Sequence, residues 1–90
     1  MTTLFVRHQV TDYAAWRKFY DDFRPTQLKL GVTAEAVYQT AGNPLELTVT
    51  HEFASLEAAQ SFAASDELHT AMQTAGVAGE PSIWFTERLD

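Results

Sequence analysis

Cysteine is absent from the 90-residue chain, so disulfide cross-links, thiol nucleophiles and Fe–S ligation play no part in it. Basic side chains are scarce as well. Six Lys and Arg stand against 12 Asp and Glu, a formal net charge of −6, which repels a phosphate backbone or an anionic lipid surface unless the cations are focused on one face. Nucleic acid and membranes are therefore not expected as partners. No run approaches 18 apolar residues, and Met1, Thr2 and Thr3 lead into a short apolar stretch without a basic leader region. The expectation is a soluble, cytoplasmic chain. Glycine and proline number only four and three and gather in a few turn clusters. A chain this short buries only about 64% of the surface it exposes when unfolded. Residues 1–90 are thus expected to form one small domain, with an oligomer interface a welcome addition to the burial.

What is present suffices for a packed core, since hydrophobic residues make up 46% and aromatics 12% of the chain. From Leu4 to Val10 the apolar residues alternate with Phe5, Arg7 and Gln9 at a period of two, which predicts a strand. Asp12 then offers an N-cap, and Trp16, Phe19, Tyr20, Phe23, Gln27 and Leu30 recur at helical spacing. Pro25 should kink or restart this helix, and Gly31 should close it. Ala34–Ala41 reads as a second strand, Gly42-Asn43-Pro44 as a turn, and Leu45 to Phe53 as the cleanest alternation in the chain. Ser55 caps a helix, Ser65 caps a second one within the same segment, and a loop holding Gly76, Gly79 and Pro81 leads to a last strand around Ile83–Leu89.

The order β-α-β-β-α-β, with right-handed crossovers, gives an α+β ferredoxin-like sandwich whose antiparallel sheet has the order 4-1-3-2. One sheet face carries Leu4, Val6, Val10, Leu47, Val49, Phe53, Ile83 and Phe85 and is expected under the helices. The other carries Phe5, Arg7, Gln9, Thr48, Thr50, Glu52, Trp84, Thr86 and Arg88. Large aromatics amid polar residues make a contact surface, so a homodimer is expected through the face bearing Phe5 and Trp84, with Arg7, Glu52 and Arg88 in interface ion pairs.

His8 and His51 fall on the helix-covered face, where burial depresses an imidazole's pKa and leaves a neutral base near pH 7. They are the candidate catalytic residues; the bland alternative for each is a hydrogen-bonded core histidine. Their strand positions set them roughly 10 Å or more apart, too far to share a metal. His69, three residues after Asp66, reads as half of a surface ion pair, and no metal site is expected. The aromatic stripe of the first helix is core or pocket wall. Trp16, Tyr20, Tyr38, Phe53 and Phe62 are the candidate substrate-binding residues. No phosphate-binding loop, nucleophile elbow or zinc-protease pair is present, and no cofactor is expected.

Leu4-Phe5-Val6-Arg7-His8-Gln9-Val10, Asp12-Tyr13, Trp16, Ser55-Leu56-Glu57-Ala58-Ala59, Phe62, Ser65, Glu67-Leu68, Ala71-Met72, Ala75-Gly76-Val77, Gly79 and Pro81 together resemble the dimeric α/β-barrel superfamily. Antibiotic-biosynthesis-monooxygenase-like and polyketide cyclase-like small proteins are grouped there. The resemblance implies a dimeric α/β barrel with a ligand cavity in each protomer between sheet and helices. It implies two functions: a cofactor-independent monooxygenase or cyclase acting on an aromatic or polyketide-like compound, or a non-catalytic dimeric ligand-binding or stress-associated protein. In either case the ligand is an apolar small molecule.

Overall fold

The computed structural model describes all 90 residues. In chain order the elements are β1 (Thr2–Val10), α1 (Tyr13–Lys29), β2 (Ala34–Thr40), β3 (Asn43–Phe53), α2 (Leu56–Ala63), α3 (Asp66–Thr74) and β4 (Val77–Glu87). The four strands form one antiparallel sheet of order β2-β3-β1-β4, the ferredoxin-like arrangement anticipated above. No helix is long and apolar enough to cross a membrane.

Each helix begins where a short polar side chain takes up an N–H that the first turn leaves free. Asp12 accepts from Ala15 N at 3.2 Å, Ser55 from Ala58 N at 3.2 Å and Ser65 from Leu68 N at 3.2 Å. Ser65 also donates to the Phe62 carbonyl at 2.7 Å, tying the end of α2 to the start of α3. The expected break falls there. Pro25, by contrast, does not restart α1, which runs through it unbroken. A proline removes one backbone hydrogen bond, whereas Trp16, Tyr20 and Gln27, buried on both sides of it, hold the helix to the sheet. Gly31 follows the C-cap at φ 101°, a left-handed conformation that a side chain would strain.

β4 starts earlier than the turn residues suggest. Gln9 and Val10 remain to be paired, and they recruit Ala78 and Val77. Arg7 faces Ser82 while Gln9 faces Ala78, so Gly79, Glu80 and Pro81 bulge opposite His8. Gly79 takes φ 73° there, and Pro81 is tolerated because a bulge needs no ladder N–H.

Alternation along β1 and β3 puts Thr2, Leu4, Val6, His8 and Val10, with Leu47, Val49, His51 and Phe53, in the buried layer. Two apolar clusters share that layer. Leu4, Val6, Val32, Phe53, Ala59, Phe62 and Leu68 form one, and Val10, Trp16, Tyr20, Leu47 and Val49 the other. Phe85 shares the phase of Leu4 but lies on the edge strand, where the helices do not reach it, and is 38% exposed.

Candidate functional site

Between the two clusters the packing leaves a cavity of about 40 Å³, lined by 13 residues of which 10 are hydrophobic. Val6 and His8 come from β1, Val49 and His51 from β3, Trp16, Tyr20 and Gln27 from α1, and Leu68 and Met72 from α3. Strand alternation delivers both histidines to this wall. His8 pairs with Leu47 and His51 with Leu4, so four residues of register separate them, roughly 13 Å along the strands. They are two separate groups in one cavity, and nowhere do three His, Asp or Glu side chains gather as metal ligands would.

Their surroundings differ. His8 is 6% exposed and neither ring nitrogen has a hydrogen-bond partner; its nearest aromatic neighbour is Trp16, with ring centroids 5.7 Å apart. Burial holds its pKa below the usual imidazole value. His51 is engaged at one nitrogen. Its Nε2 lies 3.2 Å from Gln27 Nε2 and 3.4 Å from the Tyr20 hydroxyl, while Nδ1 is free. Burial lowers its pKa to about 4, against a smaller opposing pull from Glu35. Tyr20 in turn donates to Glu35 Oε2 at 2.6 Å, and Arg24 binds Glu35 Oε1 at 2.6 Å. Burial and the bond to Glu35 push the Tyr20 phenol well above its usual value. At neutral pH the site thus holds two uncharged imidazoles and a protonated phenol, and can exchange hydrogen bonds or accept a proton.

No family model matches the sequence, and no curated relative matches it. Solved structures do. A protein provisionally named an antibiotic biosynthesis monooxygenase, from Bordetella bronchiseptica, is similar with a TM-score of 0.84 at 13% identity, over 98% of this chain and 96% of its own. Another of the same provisional name, from Caulobacter crescentus CB15, gives a TM-score of 0.76 at 17% identity over 99% and 90%. A protein of unknown function from Nitrosomonas europaea gives 0.78 at 22% identity over 99% and 89%. The chain shares the fold of these proteins.

Within this shared fold, the candidate residues fall into three groups. His8, His51, Trp16 and Tyr20 come together on the cavity wall. Phe53 and Phe62 lie one layer behind it, packed on each other at 5.3 Å, with Phe62 against His51 at 5.1 Å. They are core that supports the wall. Tyr38 is on the far side of the sheet: it pairs with Thr48 and is 57% exposed, because the side chains of β2 that meet the helices are those in phase with Glu35 and Val37. His69 is exposed and forms no ion pair with Asp66, in keeping with the small gain from an exposed pair. Arg88 pairs with Asp90 of its own chain. Gln27, Glu35 and Arg24 are the polar residues that sequence reasoning missed. Gln27 stood in phase with the apolar face of α1, and a polar residue in an apolar stripe was the available signal. Glu35 and Arg24 meet only through the tertiary fold.

Proposed function

We propose that the chain is a homodimeric small-molecule protein whose helix-side cavity takes an apolar or aromatic ligand, with His8 as a neutral base in a cofactor-independent oxygenase or cyclase reaction. The observation that carries this reading is His8 itself. A buried imidazole with two unpartnered nitrogens costs about 1–3 kcal/mol, and a histidine kept at that cost in an apolar cavity is explained by a ligand that hydrogen-bonds to it. The base takes a proton from an acidic O–H or C–H of the ligand and returns it after reaction. Trp16 and Tyr20, stacked on each other at 4.8 Å with planes 15° apart, give the cavity wall an aromatic surface suited to an apolar ligand.

The cavity's size favours a second reading. About 40 Å³ is well below the roughly 300 Å³ at which sites for drug-sized ligands begin. A ring-sized ligand must part α1 from α3, and if that opening is costly the protein is a non-catalytic binder of smaller apolar molecules. Both readings place the ligand between the same helices.

Dimerisation is proposed through the open sheet face. There Phe5 and Trp84 stack at 5.3 Å with planes 10° apart, and the Arg7 guanidinium sits 5.9 Å from the Trp84 ring. Tyr38 extends the same surface, and an aromatic patch of this kind is suited to association.

Titration of the protein with a panel of one- to three-ring phenols and quinones, followed by tryptophan fluorescence, tests the ligand site. At least one is expected to bind, and His8→Ala should weaken that binding tenfold or more with little change in melting temperature. Equal affinity in the two proteins would remove His8 from the site.

A further inference from the structure

The polar end of the cavity has an ordered set of donors and acceptors. A phenol has one proton to give, and Tyr20 gives it to Glu35 at 2.6 Å. The carboxylate is doubly bound, since Arg24 holds its other oxygen at 2.6 Å. The Tyr20 oxygen is thereby left as an acceptor. Gln27 Nε2 lies 3.2 Å from His51 Nε2. An amide NH2 only donates, so this contact makes His51 Nε2 the acceptor. If the amide were turned round, two N–H donors would lie buried where a single unpartnered carbonyl oxygen, Gln27 Oε1, now lies. The present orientation leaves less unsatisfied. With His51 Nε2 receiving an N–H, the proton of the neutral ring belongs on Nδ1.

We propose that Gln27 holds His51 as the neutral Nδ1–H tautomer, so that the one free nitrogen of His51 is a hydrogen-bond donor, whereas His8, with both nitrogens free, keeps an acceptor. The His51 donor suits a carbonyl or oxyanion oxygen of the bound molecule. Gln27 is a positioning residue, acting on the ligand through His51. The use of the donor rests on the ligand site proposed above. The tautomer does not, because it is a property of the free protein.

Long-range proton–nitrogen correlation on 15N-labelled protein at pH 7 distinguishes the two ring nitrogens of each histidine. His51 is expected to show a protonated Nδ1 and a bare Nε2. Gln27→Leu removes the donor and should transfer the proton to Nε2, where the Tyr20 oxygen can accept it. Tyr20→Phe keeps the Gln27 bond and should leave the proton on Nδ1. A protonated Nε2 in the unmodified protein overturns the assignment, and this measurement needs no variant to fold. A folded Gln27→Leu protein with an unchanged His51 signature overturns the role of Gln27. Failure of the phenol and quinone panel to bind bears on the ligand site alone.

Discussion

His8 and His51 show how two similar burials can have different energetic consequences. His8 has no polar partner to orphan, so His8→Leu should be neutral or raise stability by about 1 kcal/mol. His51→Leu takes the ring nitrogen away from the buried Gln27 amide and should cost about 1–3 kcal/mol. Urea unfolding of the two variants measures this contrast, and equal losses would contradict it. The histidines also set a pH dependence. With a folded pKa of about 4 for His51 against about 6.5 unfolded, the unfolded chain binds the extra proton between those values. Stability is therefore fully present above about pH 6.5 and falls by about 3 kcal/mol as pH drops to 4. His8 is shifted in the same direction and adds to the fall. Melts from pH 4 to 7 should show this slope, and it should flatten markedly in His51→Leu.

At the scale of the element, the cavity depends on where helices stop. Ser65 accepts from Leu68 N and donates to Phe62 O, and so joins a cavity-lining leucine to a core phenylalanine. Ser65→Ala should cost about 1–2 kcal/mol by loss of the cap, measured by thermal unfolding. Pro25 is the opposite case. It lies inside α1, where proline costs up to about 3 kcal/mol relative to alanine, while its replacement also frees the unfolded chain by about 0.4–1 kcal/mol. Pro25→Ala is accordingly expected to raise stability by about 1 kcal/mol or more, and a lower melting temperature would mean that the proline sets a geometry α1 needs. Helix existence was legible here from Asp12, Ser55, Ser65 and Gly31, whose chemistry acts within a few residues. The passage of α1 through Pro25 was not, because the compensation comes from the sheet below it.

At the scale of the whole molecule, one sheet face is covered by helices and the other carries Phe5, Trp84 and Tyr38. Trp84→Glu places a charge in the proposed interface without touching the core. Sedimentation at micromolar concentration should show a dimer for the parent and a monomer for the variant. The parent's melting temperature should rise with concentration, and the variant's should not. A monomeric parent would end the dimer proposal.

Local periodicity acts between near neighbours, so the chain's own alternation and caps were enough to determine the strands, the helices and their order. The same alternation put His8 and His51 on one face, since neighbours two apart on a strand point the same way. It could not determine the phase at which β2 joins the sheet, which turned Tyr38 outward and Glu35 inward. It could not show that Gln9 and Val10 would draw β4 back to Val77. Nor could it bring Arg24, Glu35, Tyr20, Gln27 and His51 into one hydrogen-bonded set. Those contacts join residues 11 to 31 positions apart on three different elements, and only the packing of α1 across β2 and β3 decides that they meet.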